Sequence, residues 1–159
     1  MPRFTKKEID DALQNYQDLA KRSWETGDWT IFPEVYTEDG VYIEHSFGEF
    51  RGRKAIADFL VRCQAPFPHD MVFPLGWKAF NYEEGWLVME VANRLVIPEK
   101  PGVHFDLINW TRLDYGGDGL WKRQEDLYNP LKMREVFDQW VAAGGKPLTT
   151  LMPMAHGEQ

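Results

Sequence analysis

Apolar residues recur at spacings of three and four through Ile9, Leu13, Tyr16, Ala20 and Trp24, which is the period of one helix face. Thr5-Lys6-Lys7-Glu8 precedes them with the capping-box pattern, and Gly27 follows the last apolar position. The pattern predicts an amphipathic helix that begins after Thr5 and stops at Gly27. Trp29, Phe32 and Tyr36 predict a second, short helix, with Pro33 tolerable only in or near its first turn, where no N–H is needed. The period then falls to two. Residues 41–45 read as a strand, and the Gly-containing S-F-G-E-F-R-G reads as a hairpin return. Ala55, Ile56, Phe59, Leu60 and Cys63 restore a helical face over about 54–64.

After the P-F-P-H-D loop the chain reads as sheet up to Tyr128. Strands fit about 71–80, 86–97, 103–113 and 120–128, separated by the turn signals Y-E-E-G, P-E-K-P-G and G-G-D-G. Pro74 places a bulge or an edge position in the first of these. Asn129 caps a last helix with Pro130 at its first position, Val136, Phe137, Trp140 and Val141 on its apolar face, and Gly144 beyond it. Residues 146–159 lack any period and read as a mobile tail. The order of elements predicts an α+β fold: helices packed on the concave face of a curved antiparallel sheet, a cone, as one domain over 1–145.

Composition adds an unusual interior. The chain has 159 residues, 14% of them aromatic, with seven Trp, so rings should line much of the core and any hollow within it. A formal charge of −7 argues against binding nucleic acid, which relies on clustered cations. Cys63 is the single cysteine, so no intrachain disulfide forms and a reducing compartment is the simpler expectation. No stretch approaches the roughly 20 apolar residues of a membrane span, and the first residues lack the apolar core of a secretory signal. A soluble, cytoplasmic protein without membrane contact is expected. No phosphate-binding glycine loop and no G-x-S-x-G is present, and the four histidines show no metal-ligand spacing, so neither a metal nor another cofactor is expected.

Strand phase then selects candidates for chemistry. Glu44 lies two residues after Tyr42 and shares its face. Among rings it would lose hydration, its pKa would rise, and it could serve as a general base; otherwise it pairs with Arg51 or Arg53 across the hairpin. Asn109 stands on an apolar row with Phe105, Leu107 and Thr111, as an oxyanion donor or as a structural hydrogen-bonding group. Asp126 alternates with Gln124 and Tyr128. Facing the same hollow as Glu44, it would push one pKa up and divide acid from base; otherwise it ties down ring hydroxyl and N–H groups in the core. Tyr16, Trp24, Tyr36, Tyr42, Phe59, Trp77, Trp86 and Tyr128 are the candidate pocket rings, with plain core packing as the alternative. Glu90 and Asn93 lie on opposite faces of their strand, so one of them faces the hollow. His45 points away from it.

Together these segments resemble the nuclear transport factor 2-like superfamily and its SnoaL-like branch of polyketide cyclase relatives. The likeness covers about Lys6 to Ala143: the G-D-W turn, Y-x-x-D-G-V-Y-x-E, G-R-x-A-I, I-N-W-T-R-L and E-D-L-Y-N-P, in that order. It implies the cone fold, a homodimer through the outer sheet face, for which Val41, Ile43, Trp110 and Leu127 supply apolar material, and no single activity. Glu44 stands where ketosteroid isomerases carry their catalytic aspartate, and Asn109 where they carry a protonated aspartate of the oxyanion hole. Limonene epoxide hydrolases resemble the chain at Tyr42 and Asp126 and carry an asparagine at the place of Glu44. The chain departs from both: the isomerase tyrosine of the first helix falls near Ala20, one turn after Tyr16, and the hydrolase Arg and Asp pair falls near Glu90 and Ala92. The resulting expectation is a cofactor-independent acid–base enzyme, an isomerase, dehydratase, cyclase or hydrolase, acting on a small apolar molecule bearing a carbonyl or hydroxyl. The alternative is a non-catalytic binding or assembly module on the same fold; a transport adaptor ranks below both.

Overall fold

A computed structural model describes residues 3–64 and 71–146, so the expected tail from 147 onward and the P-F-P-H-D loop lie outside the described residues. Helix α1 (Lys6–Thr26) opens with the capping box formed in both directions between Thr5 and Glu8, and ends at Gly27, whose φ of 73° a side-chain-bearing residue would adopt only with strain. Its inner face buries Ile9, Ala12 and Leu13. The short helix expected near Trp29 is a single 3₁₀ turn, Phe32–Val35, with Pro33 in its first positions. Nothing longer forms because Tyr36 is already extended and begins a strand five residues earlier than the alternation suggested.

That strand, β1 (Tyr36–Glu44), pairs with β2 (Gly48–Arg51), and α2 (Arg53–Gln64) follows. The expected 71–80 strand is divided into β3 (Met71–Val72) and β4 (Leu75–Asn81) at Phe73 and Pro74, as a proline without an N–H requires; the Ala92 N–H still donates to the Pro74 carbonyl across the break at 2.9 Å. Long strands β5 (Trp86–Val96), β6 (His104–Gly117) and β7 (Leu120–Leu127) form the meander, and α3 (Pro130–Ala142) starts from an Asn129 cap.

The sheet runs β2-β1-β7-β6-β5-β3, with β4 also beside β5; it is curved and does not close. It is not antiparallel throughout, as the sequence had suggested. β7 lies parallel to β1, because the chain returns from the far end of the meander to the free side of β1 and runs along it in the same direction. That one pairing sets the register of the site.

The helices cover the inner face and leave two packed zones. One joins α1, α2 and the sheet through residues such as Ile9, Phe32, Ile56 and Leu113, and includes Trp121, whose indole N–H donates to the Ala12 carbonyl. The other joins α3 to the far ends of β5 and β6 through Leu95, Leu107, Val136 and Trp140, the last donating to the Val96 carbonyl. The site described below lies where these zones meet. No described helix is long and apolar enough to cross a membrane.

Candidate functional site

Parallel pairing of β1 with β7 sets Glu44 directly beside Asp126, and antiparallel pairing of β7 with β6 sets Asp126 beside Thr111. Neighbouring strands lie about 4.8 Å apart. Two carboxyl groups and a hydroxyl thus form one polar rung on the inner face of an otherwise apolar sheet. One step along, Tyr42 pairs with Gln124 and extends the polar set. The sequence phase for Glu44, Asn109 and Asp126 holds: all three point inward and are 5%, 5% and 7% exposed.

Asp126 is surrounded by donors. The Tyr42 hydroxyl donates to Oδ2, the Thr111 hydroxyl to Oδ1 at 2.7 Å, and the Gln124 amide to both oxygens at 3.1 and 3.2 Å. Gln124 is itself held by the hydroxyls of Tyr16 (2.9 Å) and Tyr36 (2.5 Å), which both donate to its Oε1. Burial pushes the Asp126 pKa upward, and the hydrogen bonds from Tyr42, Thr111, Gln124 and Asn109 pull against it. Tying down a ring hydroxyl, the alternative role for this acid, is therefore part of what Asp126 does.

Glu44 has fewer partners. Its Oε2 accepts the Ser46 N–H at 2.9 Å, while Oε1 has no hydrogen-bond partner among the described residues. Its pKa is raised, first by burial and further by the charge of Asp126; the Tyr128 hydroxyl and the Phe47 and Ser46 N–H groups act in the opposite direction. Pairing with arginine across the hairpin does not occur: Arg51 bonds Glu49, and Arg53 bonds Glu38 and the Tyr36 carbonyl.

Asn109 differs from its expected role. Its Nδ2 donates to Thr111 Oγ1 at 3.2 Å and lends a hydrogen bond toward Asp126, and its Oδ1 is left without a partner. Turning the amide over would put its oxygen against a carboxylate, so this orientation is the favoured one. Asn109 therefore offers an acceptor where the isomerase resemblance implied a donor. A buried acceptor left unmade costs about 1–3 kcal/mol, so Glu44 Oε1 and Asn109 Oδ1 are both sites of stored affinity for a donor.

Two adjoining cavities open along this row. The larger, about 540 Å³, runs toward α1 past Tyr16, Trp24, Trp29 and Phe73; the smaller, about 90 Å³, lies toward α3 and contains Glu44, Phe59, Tyr128 and Leu107. Tyr42, Asn93, Asn109 and Asp126 line both. Five of the expected pocket rings are thus in place: Tyr16, Trp24, Tyr42, Phe59 and Tyr128. Three are not. Tyr36 is wholly buried core whose hydroxyl is committed to Gln124. Trp77 lies on the outer face, 44% exposed, edge-on to Trp110, because the pairing of β4 with β5 shifts register between Leu75 and Lys78. Trp86 is also outside, with the Arg112 guanidinium over its ring at 5.2 Å. Glu90 accepts the Trp77 indole N–H on that outer face, so Asn93 is the member of the pair that faces the hollow. His45 is exposed and bonds Glu125 at 2.9 Å, on the side expected of it.

Sequence reasoning assigned no role to Gln124 or Thr111, although each is polar at an inward position of a strand. That is the signal that would have found them: an inward polar residue two positions from a suspected acid. Ser46 carried no such signal, because its N–H reaches Glu44 through the turn rather than through strand phase. Cys63 also borders the smaller cavity, and burial pushes its thiol up to about 12, which keeps it protonated and inert.

Residues 17–124, more than half of the chain, match the model of the SnoaL-like domain. The chain belongs to that family. No curated protein matches it. Among solved structures, a LEH-like epoxide hydrolase from M. tuberculosis is similar over 84% of this chain and 94% of its own, at 15% identity and a TM-score of 0.60. A candidate SnoaL-like polyketide cyclase from Shewanella putrefaciens is similar over 85% and 88%, at 18% identity and a TM-score of 0.62. A hypothetical protein with a ketosteroid isomerase-like fold from Catenulispora acidiphila, solved with trimethylamine, is similar over 72% and 85%, at 17% identity and a TM-score of 0.57. At these identities the likeness establishes the fold.

Proposed function

We propose that this SnoaL-like protein is an acid–base enzyme that moves a proton on a small, largely apolar molecule bearing a carbonyl or hydroxyl group. The observation that carries this reading is Glu44: a carboxylate 5% exposed, with one oxygen unpartnered, in the wall of a ring-lined hollow and beside a second acid. Dehydration and the neighbouring charge both raise its pKa toward the working range of a base. Asp126, held by the donors around it, keeps a fixed orientation and carries charge that strengthens Glu44 as a base. The Tyr42 hydroxyl is held on Asp126, and the Tyr128 hydroxyl, at the same wall, replaces Asn109 as the donor to a developing oxyanion. Each of these steps uses side chains of this chain, and none calls for a cofactor. The names of the cyclase, hydrolase and isomerase-like structures are in keeping with proton chemistry, and the choice among those reactions belongs to the substrate. Glu44→Gln tests the proposal: turnover of a substrate found by screening ketosteroids, epoxides and phenols should fall roughly 10²- to 10⁴-fold. Unchanged turnover removes Glu44 from the mechanism.

A second reading, a non-catalytic binding module, is favoured by the saturation of Asp126, which resembles a structural network more than a poised acid. Under that reading the same screen yields ligands and no product. A homodimer through the outer sheet face is proposed with either reading. Trp110 is 50% exposed there, with Trp77, Ile108 and Leu127 beside it, while the neighbouring Arg112, Asp114, Arg123 and Glu125 pair among themselves and leave the apolar residues uncovered. A monomeric mass in dilute solution would count against the dimer; if it forms, Trp110→Glu should dissociate it.

A further inference from the structure

We infer that the occupant of this hollow enters hydroxyl first: it is a neutral, hydroxyl-bearing aromatic or enolic ring whose O–H donates to Glu44 Oε1, with a second donor, a further hydroxyl or a bound water, on Asn109 Oδ1. This rests on the reading of the hollow as a small-molecule site and deepens it by naming the end of the ligand that is recognised.

Among the described residues, these two oxygens are unpartnered buried acceptors whose residues line the same cavity. The polar atoms of Asp126 and Tyr42 and the Asn109 amide nitrogen are already engaged, and the Tyr128 hydroxyl acts on Glu44. Asp126 has donors on both oxygens, the Tyr42 hydroxyl is used on Asp126, and the Asn109 amide nitrogen is used on Thr111. What the wall lacks is donors from the ligand side. A carbonyl, ether or epoxide oxygen brings only lone pairs to this place, and would leave both acceptors as they are.

Charge narrows the choice further. Among the described residues, the lining of the smaller cavity holds Glu44 and Asp126 and no Lys, Arg or His, so a carboxylate or phosphate would meet like charge with no counter-ion there. An ammonium group would be attracted, but it must shed its water in a space bounded by Phe47, Phe59, Leu107 and Phe137, which costs more than one ion pair returns. A neutral hydroxyl is charge-matched and its ring fits the apolar remainder.

Glu44→Gln makes this testable in a direction that a loss of fold would not imitate. The Ser46 N–H on Oε2 holds the amide with its oxygen there, so its NH₂ stands where Oε1 stood, and an acceptor becomes a donor. Binding of 2-naphthol, 2-methoxynaphthalene and 2-naphthoate to the purified full chain is measured by titration calorimetry. The unaltered protein should bind 2-naphthol about tenfold or more tightly than its methyl ether, the effect of one hydrogen bond to a charged group, and 2-naphthoate weakest. In Glu44→Gln the preference should vanish or invert. Asn109→Leu, which removes only the second acceptor, should narrow the preference and keep its sign. Equal affinities for naphthol and ether in the unaltered protein overturn the inference while leaving the small-molecule site standing; this is also the result if a resident water satisfies both oxygens. Binding of none of the three overturns the inference and the proposed function together. Should Glu44→Gln fail to fold, the comparison in the unaltered protein decides alone.

Discussion

Glu44 and Asp126 face each other across one step of the sheet, are buried to nearly the same degree, and have opposite surroundings. Around Asp126 the side chains of Tyr42, Thr111 and Gln124 donate, Asn109 adds to them, and two tyrosines hold Gln124 in place. Around Glu44 a turn N–H occupies one oxygen and no described partner reaches the other. Identical chemistry thus yields a buttress on one strand and a reactive group on its neighbour. A buried carboxylate that is fully hydrogen-bonded is stabilised as it stands, whereas one left short of donors keeps its interaction energy for whatever arrives. The same contrast predicts which variant breaks activity and which breaks the fold.

Glu44→Gln should give the largest effect, a roughly 10²- to 10⁴-fold loss of turnover, equivalent to about 3–5 kcal/mol of transition-state stabilisation. Its unfolding free energy should be unchanged or slightly higher at neutral pH, because a buried charge is removed and the Ser46 contact survives. A variant that loses both activity and stability would place Glu44 with the buttress. Asp126→Ala comes next and has the reverse profile. It strands the Tyr42, Thr111 and Gln124 donors, and urea unfolding should show a loss of about 3 kcal/mol or more. A loss well under that would mean the network around Asp126 relaxes, and the two acids would then differ less than their partners suggest.

The ease of reading this contrast from sequence was uneven. Periodicity and capping gave the helices almost to the residue, since α1 runs from Thr5 to Gly27 by local signals alone. Period-two phase put Glu44, Asn109 and Asp126 inside. Strand phase fails once it must be carried past an irregularity: the register of β4 against β5 shifts between Leu75 and Lys78, and that shift turns Trp77 outward. Nor could pairing be read. The parallel β1–β7 contact joins residues more than eighty positions apart, and it alone makes Glu44 and Asp126 neighbours. The orientation of the Asn109 amide followed from the finished network, which is why a donor was expected where an acceptor stands.

Acidity sharpens the comparison by a smaller margin. Burial raises the pKa of both acids above the unfolded value, near 4. Above that value the folded state therefore binds more protons than the unfolded chain, and the contribution of these groups to stability falls as pH rises through their folded pKa values. Carboxyls with lowered values elsewhere, such as Asp106 beside Arg94, act in the opposite sense, so the useful quantity is a difference between proteins. Measured from about pH 4 to about pH 7, the melting temperature of the unaltered protein minus that of Glu44→Gln should decrease steadily. A flat difference would mean that Glu44 titrates as it does in the unfolded chain, and the case for a tuned base would fail.

The smallest effect tests how far the buttress extends. Tyr16 reaches Asp126 only through Gln124, whose Oε1 also accepts from Tyr36 at a shorter distance. Tyr16→Phe removes one hydroxyl and leaves Gln124 with an acceptor still satisfied, so the cost should be about 0.5–1.5 kcal/mol, the net worth of one neutral hydrogen bond. Tyr42→Phe deletes a donor to the carboxylate itself and should cost about 1.5–3 kcal/mol. It should also raise the pKa of Asp126 further, since the Tyr42 bond is the first of those holding it down. Unfolding curves for the two variants side by side rank the donors. If Tyr16→Phe proves the more damaging, the support for Asp126 comes mainly from the α1 side through Gln124, and the network ends in the helix instead of at the Tyr42 hydroxyl.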